Sequence, residues 1–268
     1  MFPTRPLLIA AASLAVMACQ GPERPAENEA DVAPAANDVN LSEVLPLPEP
    51  ALDRSGFLAA MASAASAQAS DTKTVASPSL DGRRFAIRIR FGCDGPAPAN
   101  SDTALRWTTA KDGKSYDVLA KPDLSQADEP LKAMSDQTIE AIEGFWIPRP
   151  WEHRGECPVA ALDGSRAGLP APQLVGIAQY FTAEDSRVGR RSGRPYVATQ
   201  KIASPADLPK SGLVLLLEGR FEAWPGGEVI RCIGSGRDQR PSCVASAHLD
   251  RAAFLKPQDS SVIAEWRE

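Results

Sequence analysis

The stretch RFAIRIRF, residues 84–91, decides the fold class. Its apolar residues alternate with arginines and one alanine, which is the two-residue period of a β-strand with one buried and one solvated face. Phe85, Ile87, Ile89 and Phe91 share the apolar side, and Cys93 continues the same parity. We therefore expect a half-buried strand whose apolar face points to the core.

Strand-like runs separated by turn residues continue toward the C-terminus. Three hairpins are predicted, each from two such runs: residues 105–109 with 115–119 around Asp112-Gly113, 174–182 with 196–202, and 213–224 with 228–233 around Pro225-Gly226-Gly227. Further strands are predicted at residues 138–147, 242–248 and 261–266, and residues 123–137 form a loop or a short helix. Because helices do not alternate with these strands, the sequence predicts a mainly β fold, an antiparallel sandwich or barrel-like domain.

One N-terminal helix is expected at residues 52–69. This segment is rich in alanine and places Phe57 and Met61 at helical spacing, with Asp53 as an N-cap. We interpret residues 51–268 as one β-rich domain that begins with this helix. A boundary near Pro170-Ala171-Pro172 is the alternative.

The first nineteen residues have the pattern of an export signal. Arg5 supplies a positive start, an uncharged stretch runs from Leu7 to Ala18, and Cys19 follows. The apolar stretch is too short for a membrane span, which needs about 20 residues. The segment Val16-Met17-Ala18-Cys19 resembles the lipobox of bacterial lipoproteins. The resemblance implies a signal peptide at residues 1–18, cleavage before Cys19, and acyl chains on Cys19; an ordinary cleaved signal peptide is the alternative.

The residue after Cys19 indicates whether the lipid anchor lies in the inner or the outer membrane. An aspartate at that position retains lipoproteins of enteric bacteria in the inner membrane, and this chain has Gln20. The resemblance therefore implies a lipid anchor in the outer membrane, with the protein facing the periplasm of the cell envelope. The membrane would be reached through this anchor alone.

Residues 19–50 are expected to form a tether. They contain six prolines, seven acidic residues and a single base, Arg24, whereas residues 51–268 contain 27 basic and 27 acidic residues. The net charge of −5 over 268 residues therefore comes from the tether. Proline and like charge both oppose collapse, so we expect an extended, disordered segment that lifts the domain off the membrane.

Four cysteines remain besides Cys19, and an even number in an exported chain suggests two disulfides. Three connectivities are open to Cys93, Cys157, Cys232 and Cys243. Cys232 and Cys243 fall on neighbouring predicted strands, so we pair them, which leaves Cys93 with Cys157. A zinc site is the rival interpretation, but it usually uses closely spaced cysteine pairs, which this sequence lacks.

The composition and motifs exclude several function classes. Hydrophobic residues make up 43% of the chain and charged residues 24%, so it is neither a coiled coil, a collagen nor a polytopic membrane protein. No phosphate-binding loop, dinucleotide fingerprint, HExxH or G-x-S-x-G element occurs, so we expect no cofactor and no metal. The arginines of residues 84–91 belong to a neutral domain, and we expect no nucleic-acid partner.

Two surface features could bind a ligand. The first is a basic loop with Arg187, Arg190, Arg191 and Arg194, whose guanidinium groups suit phosphate or carboxylate; a solvated hairpin tip is the alternative. The second is an aromatic cluster in which Trp146 and Trp151 stand beside prolines, a partner or sugar platform. The edge of the core is the alternative for these tryptophans.

These features lead to two functional hypotheses. The first is a non-enzymatic envelope lipoprotein, a binding or structural module for an envelope protein or an anionic envelope ligand. The second is a hydrolase acting on cell-wall or glycan material through carboxylates such as Glu140, Glu143, Glu152 and Glu156. An enzyme requires a deep cleft with convergent carboxylates, whereas a binding module requires a shallow face lined by aromatic residues or arginines.

Overall fold

The computed structural model describes residues 49–71, 80–134, 138–158, 173–184, 190–234 and 238–267. Cys19, Arg187 and the predicted tether up to residue 48 lie outside the described residues. The helices are α1 (Arg54–Ala69), α2 (Ser125–Ala133) and a short 3-10 helix (Pro205–Asp207). The strands are β1 (Arg84–Phe91), β2 (Leu105–Thr109), β3 (Ser115–Ala120), β4 (Ala141–Trp146), β5 (Val175–Phe181), β6 (Tyr196–Lys201), β7 (Leu213–Phe221), β8 (Ile230–Ile233), β9 (Ser242–Leu255) and β10 (Val262–Arg267).

The alternating stretch forms β1, as predicted. Its four apolar side chains are each 5% exposed or less, while Arg84 and Arg88 are exposed on the other face. β1 is the edge strand of a large sheet and pairs antiparallel with β7 along its whole length. The core therefore lies on the phenylalanine and isoleucine side of β1.

β9 organises the large sheet, whose longest path is β1-β7-β9-β5-β4. The first half of β9 lies between β8 and β5, and its second half lies between β7 and β10. β7 and β8 continue end to end along one side of β9, because Ser246 accepts from the Glu222 amide and donates to the Val229 carbonyl, at 3.2 and 2.8 Å. One long strand thus holds together four others.

A second sheet of order β2-β3-β6 packs against the first. Trp107 and Tyr116 lie buried in the shared core, with ring centroids 5.9 Å apart. Trp266 of β10 joins the sheets, since its ring lies 5.0 Å from that of Tyr196 and 5.2 Å from that of Phe254. The fold is mainly β and sandwich-like, and the strands of the described residues do not close into a barrel.

The helices cover the large sheet at two places. α1 begins at Arg54, two residues after the predicted start, where the Asp53 carboxylate accepts from the Gly56 amide at 2.9 Å. Its residues Phe57 and Met61 are buried, and Phe57 stacks on Phe221. α2 resolves the region predicted as a loop or short helix, and it packs with Trp224 in a separate small cluster. Neither helix of the described residues has the length and apolarity needed to cross a bilayer.

Two of the three predicted hairpins are wrong. The first is confirmed, since β2 and β3 pair around Asp112-Gly113. In the second, β5 instead pairs with β4 and, in parallel, with β9, while β6 pairs with β3. In the third, Pro225-Gly226-Gly227 does form a tight turn, in which the Trp224 amide donates to the Glu228 carbonyl at 2.8 Å. The turn connects β7 to β8, but each of these strands pairs with β9 instead of with the other. Turn residues determine where the chain reverses, whereas the pairing of strands depends on which apolar faces are buried together, and these can be distant in sequence.

Both predicted disulfides are confirmed. Cys232 and Cys243 face each other across the β8–β9 ladder, with a Cα–Cα distance of 4.0 Å. Cys93 follows β1 and joins Cys157 with a Cα–Cα distance of 5.4 Å. Residues 48–268 form one compact unit.

Candidate functional site

The segment after β4 carries four residues that the sequence singled out. We name residues 148–157 the Trp151 loop; it contains Trp151, Glu152 and Glu156 and ends at Cys157. Pro150 is buried, whereas the Trp151 side chain is 57% exposed. A large exposed aromatic residue on a covalently fixed loop is an uncommon arrangement, because such a side chain is usually buried.

Arg54 fastens this loop to the start of α1. Its guanidinium group donates to the carbonyls of Pro148 at 2.8 Å, Arg149 at 3.1 Å and Glu152 at 3.0 Å. A fourth, longer contact of 3.5 Å reaches the Arg88 carbonyl. Arg54 is only 6% exposed. Burial lowers its pKa, an effect that Glu152 opposes and Arg149 adds to, and the carbonyl dipoles replace the water that the charge has lost.

Glu152 shapes the loop from within. Its carboxylate accepts from the Arg154 amide at 2.7 Å and from the Glu156 amide at 3.0 Å. Gly155 between them has φ +65°, a conformation that favours glycine. Two of the four glutamates assigned to the hydrolase hypothesis therefore lie in this loop, and the Glu152 carboxylate is occupied by backbone amides.

Arg90 approaches the loop from the outward face of β1, and Arg88 lies on the same face. They are two residues apart on one strand, so their Cα atoms lie about 7 Å apart. The Arg90 Nε atom donates to the Ser211 carbonyl at 3.1 Å and lies 3.4 Å from Cys157 Sγ. Arg88 is exposed and donates to the Ser260 hydroxyl at 3.1 Å. Both side chains keep guanidinium N–H groups that make no hydrogen bond within the described residues.

Arg149 reaches the same place from the other side. Its Nη2 atom donates to the Glu156 carbonyl at 2.9 Å, one residue before the disulfide. Its Nε atom is buried and has no hydrogen-bond partner among the described residues. The residue adopts φ +49°, which is rare outside glycine. We name Arg88, Arg90 and Arg149 the arginine cluster.

The charges of this cluster are not balanced. The pKa of Arg90 is lowered first by burial and then by Arg88 and Arg149, and Glu156 opposes the shift. Glu152 is the other nearby carboxylate, and it neighbours Arg54. The cluster and Arg54 thus place four guanidinium groups against two carboxylates. Such an arrangement attracts an anion with several acceptor oxygens.

The predicted basic loop uses its arginines internally. The Arg191 guanidinium group lies 3.9 Å above the Tyr196 ring and donates to the Arg194 and Pro195 carbonyls at 3.1 Å. Arg194 donates back to the Arg191 carbonyl at 3.0 Å. These contacts occupy two of the guanidinium groups that the sequence assigned to a ligand.

Glu143 holds the same basic loop in place. Its carboxylate accepts from the amides of Arg191 and Gly193, at 2.9 and 3.2 Å, and lies 4.0 Å from Arg190 Nε. It borders a small open depression whose lining contains no second carboxylate. Glu140 is exposed at the start of β4. The described residues contain no group of three His, Cys, Asp or Glu side chains able to hold a metal.

The two predicted tryptophans have different environments. Trp146 is half-buried at the end of β4 and packs against the cluster of α2. The core-edge interpretation therefore describes Trp146, whereas Trp151 is the exposed one. An aromatic platform at this site would consist of Trp151 alone.

Sequence reasoning missed two features of the site. The first is Arg54, which no motif in the sequence singles out and whose partners in the loop lie 94 to 98 residues away. The hydroxyl of Ser55 lies 3.2 Å from His153 Nδ1, again across 98 residues. The one available signal was Asp53-Arg54, a charged pair ahead of an uncharged run.

The chain matches no protein-family model, no curated protein and no solved structure.

Proposed function

We propose that this protein is a lipid-anchored protein of the bacterial cell envelope that acts as a non-enzymatic binding module. The anchor is the thioether on Cys19, the outer membrane is the site of attachment, and the β domain faces the periplasm. Two observations support this location: the Val16-Met17-Ala18-Cys19 segment and the two disulfides, which persist in oxidising compartments. Several acyl chains at about 0.8 kcal/mol per buried methylene give stable attachment.

The ligand of the module is an anionic component of the envelope, held at the Trp151 loop. The observation that carries this proposal is the arginine cluster, in which Arg90 and Arg149 meet the end of the loop and three positive charges outnumber the two nearby carboxylates. The exposed Trp151 follows Arg149 by two residues. The disulfide and Arg54 keep the loop in one conformation. Holding the loop in advance reduces the entropy lost on binding.

The anchor is tested by metabolic labelling with radioactive palmitate. The chain should incorporate label, and the Cys19→Ser variant should not. Mass spectrometry of the protein from its native host should show Cys19 as the first residue, carrying acyl chains. An unmodified terminus would contradict the anchor and leave the binding proposal to be judged by its own experiment.

The binding proposal is tested with purified lipopolysaccharide and isolated peptidoglycan sacculi. The full-length protein in detergent should bind one of them, and the Arg88→Gln/Arg149→Gln variant should bind it at least tenfold more weakly. Arg240→Gln is the matched control, because Arg240 is exposed and lies between β8 and β9. Equal binding by all three proteins would reject the arginine cluster as the binding site.

Hydrolysis of envelope material is a second candidate function, and one contact favours it. Ser55 and His153 have the spacing of a nucleophile and its base. Both are exposed, however, and the described contacts of His153 include no third group that orients the ring. We expect a fluorophosphonate probe to leave Ser55 unlabelled; stoichiometric labelling that His153→Ala abolishes would establish the hydrolase instead.

A further inference from the structure

The arginine cluster and Trp151 together are suited to a narrower ligand class than an anion in general. We propose that they bind a phosphorylated sugar, with the phosphate on the guanidinium groups and one face of the sugar ring against the indole. This inference rests on the proposed binding function and specifies its ligand.

The charge and donor pattern favours phosphate over carboxylate. One guanidinium fork satisfies one carboxylate, whereas a phosphate monoester carries about −1.5 to −2 charges and three acceptor oxygens. Arg90 and Arg149 both reach the end of the Trp151 loop, since Arg90 contacts the Cys157 sulfur and Arg149 contacts the preceding carbonyl. Arg88 lies two residues from Arg90 on the same outward face of β1. Arg88 and Arg149 both lie within electrostatic range of Arg90. Three neighbouring cations exceed the charge of a single carboxylate and suit a dianion.

Trp151 supplies the second half of the site. It follows Arg149 by two residues on a loop whose backbone Arg54 holds at both Arg149 and Glu152. The exposed indole presents a flat apolar surface, which suits the C–H face of a pyranose ring. A bare phosphate ion would leave this surface unused.

The carboxylates around the cluster repel a bound anion, so removing one of them should strengthen binding. Glu152 already accepts two backbone amides and is committed to the loop. Glu156 is exposed and lies within electrostatic range of Arg90. Removing its charge with Glu156→Gln should tighten phosphate binding several-fold, an effect opposite in sign to that of an arginine substitution.

The experiment is a titration of the full-length protein, followed by tryptophan fluorescence and by calorimetry. Of the five tryptophans, Trp107 and Trp224 are buried, Trp146 and Trp266 are half-buried, and Trp151 is exposed. Trp151 should therefore dominate quenching by acrylamide. N-acetylglucosamine 1-phosphate should protect it from quenching. It should bind at least tenfold more tightly than inorganic phosphate, glucuronate or unphosphorylated N-acetylglucosamine.

Variants assign the two halves of the site. Arg88→Gln should weaken binding of the sugar phosphate about tenfold, which is the loss of one charge-assisted contact. Trp151→Ala, followed by calorimetry, should bring the affinity for the sugar phosphate down to that for inorganic phosphate. Near-ultraviolet circular dichroism and an unchanged affinity in Arg240→Gln control for folding.

The outcomes separate this inference from the broader function. Equal or tighter binding of glucuronate would overturn the phosphate assignment while leaving an anion-binding module. Binding to vesicles of phosphatidylglycerol but to no soluble sugar phosphate would overturn the sugar assignment and identify a lipid headgroup as the source of phosphate. If an envelope component binds through the arginines and none of the soluble phosphate compounds does, only the narrower inference fails. If no envelope component binds either, both fail.

Discussion

The two disulfides stabilise very different parts of this molecule. Cys232–Cys243 spans eleven residues and joins directly paired positions of β8 and β9, where the cysteines are 9% and 0% exposed. Cys93–Cys157 spans sixty-four residues and joins the end of β1 to a surface loop, with both cysteines partly exposed. The first reinforces a region that hydrogen bonds and packing already hold, whereas the second secures a region with no sheet of its own.

Each region also contains one buried arginine, and the two arginines differ in the same way. Arg231, in β8, is 2% exposed, donates to the Leu131 carbonyl at 3.3 Å and lies near the Trp224 ring, so it bridges α2 and the sheet inside a packed cluster. Arg54 instead binds the backbone of the Trp151 loop from outside the sheet. The candidate site therefore depends on a few separable contacts, whereas the β8–β9 region depends on many.

Removing the outer disulfide should have the largest effect. Loss of the Cys93–Cys157 cross-link frees a long loop in the unfolded chain, which the chain-entropy relation values at about 4 kcal/mol, against about 3 kcal/mol for the shorter Cys232–Cys243 loop. We therefore expect Cys93→Ala/Cys157→Ala to lower the free energy of unfolding by about 4 kcal/mol in guanidinium chloride, under conditions that keep the other disulfide oxidised.

Reduction of the native protein provides the control for this comparison. Limiting dithiothreitol followed by alkylation should modify Cys93 and Cys157 before Cys232 and Cys243, because the outer pair is more accessible and Arg90 stabilises the Cys157 thiolate. Simultaneous reduction of both disulfides would show that the two regions open together and do not differ in stability.

Arg54→Met is expected to have the next largest effect. The substitution keeps much of the apolar stem and leaves the carbonyls of Pro148, Arg149 and Glu152 without their donor. Unsatisfied buried polar groups cost about 1–3 kcal/mol each, and partial access of water reduces the total, so we expect a loss of about 3 kcal/mol in the free energy of unfolding. Amide hydrogen exchange should accelerate in residues 148–157 and stay unchanged in β8 and β9; uniform acceleration would refute a local role.

Local patterns in the sequence predicted the elements of the fold better than their partners. The alternation of Phe85 to Phe91 fixed β1, and Asp112-Gly113 fixed the first hairpin, because both signals act within a few residues. The parallel pairing of β5 with β9 joins Val175 to Cys243, and no local feature of either segment encodes that choice. Strand partners are selected by which faces can be buried together, a property of the whole chain.

The candidate site was predictable only in its parts. Trp151 and Cys157 attracted attention as residue types, and the cysteine pairing followed from counting and from neighbouring strands. The role of Arg54 depends on backbone carbonyls that only the folded chain brings within reach. Residues 190–194 were predicted to bind a ligand, but in the fold they bind other groups of the protein. Their partners are carbonyls of the same segment and the Glu143 carboxylate.

A glycine substitution tests how closely Arg54 fits the loop. Gly155 and Gly113 have nearly equal φ values of +65° and +67°, so alanine meets the same backbone penalty at both, about 1–2 kcal/mol. A Cβ atom at Gly155 would lie 3.0 Å from Arg54 Cδ, whereas one at Gly113 meets nothing within 4 Å. Gly155→Ala should therefore destabilise by about 1 kcal/mol more than Gly113→Ala in paired denaturation curves, since the Arg54 bonds resist displacement. Equal losses would mean that Arg54 moves freely.

His153→Ala should have the smallest effect. The imidazole and the Ser55 hydroxyl are both exposed, so water replaces the 3.2 Å contact when the ring is removed. Surface substitutions away from special features change stability by less than about 0.5 kcal/mol, and we expect a value in that range from guanidinium chloride denaturation. Ser55→Ala is the matched control on the opposite partner. A loss above about 1 kcal/mol in His153→Ala would exceed that range. It would show that the Ser55–His153 contact holds the Trp151 loop together with Arg54 and the outer disulfide. Hydrogen exchange of that loop at wild-type rates would instead confirm that Arg54 and the outer disulfide hold it.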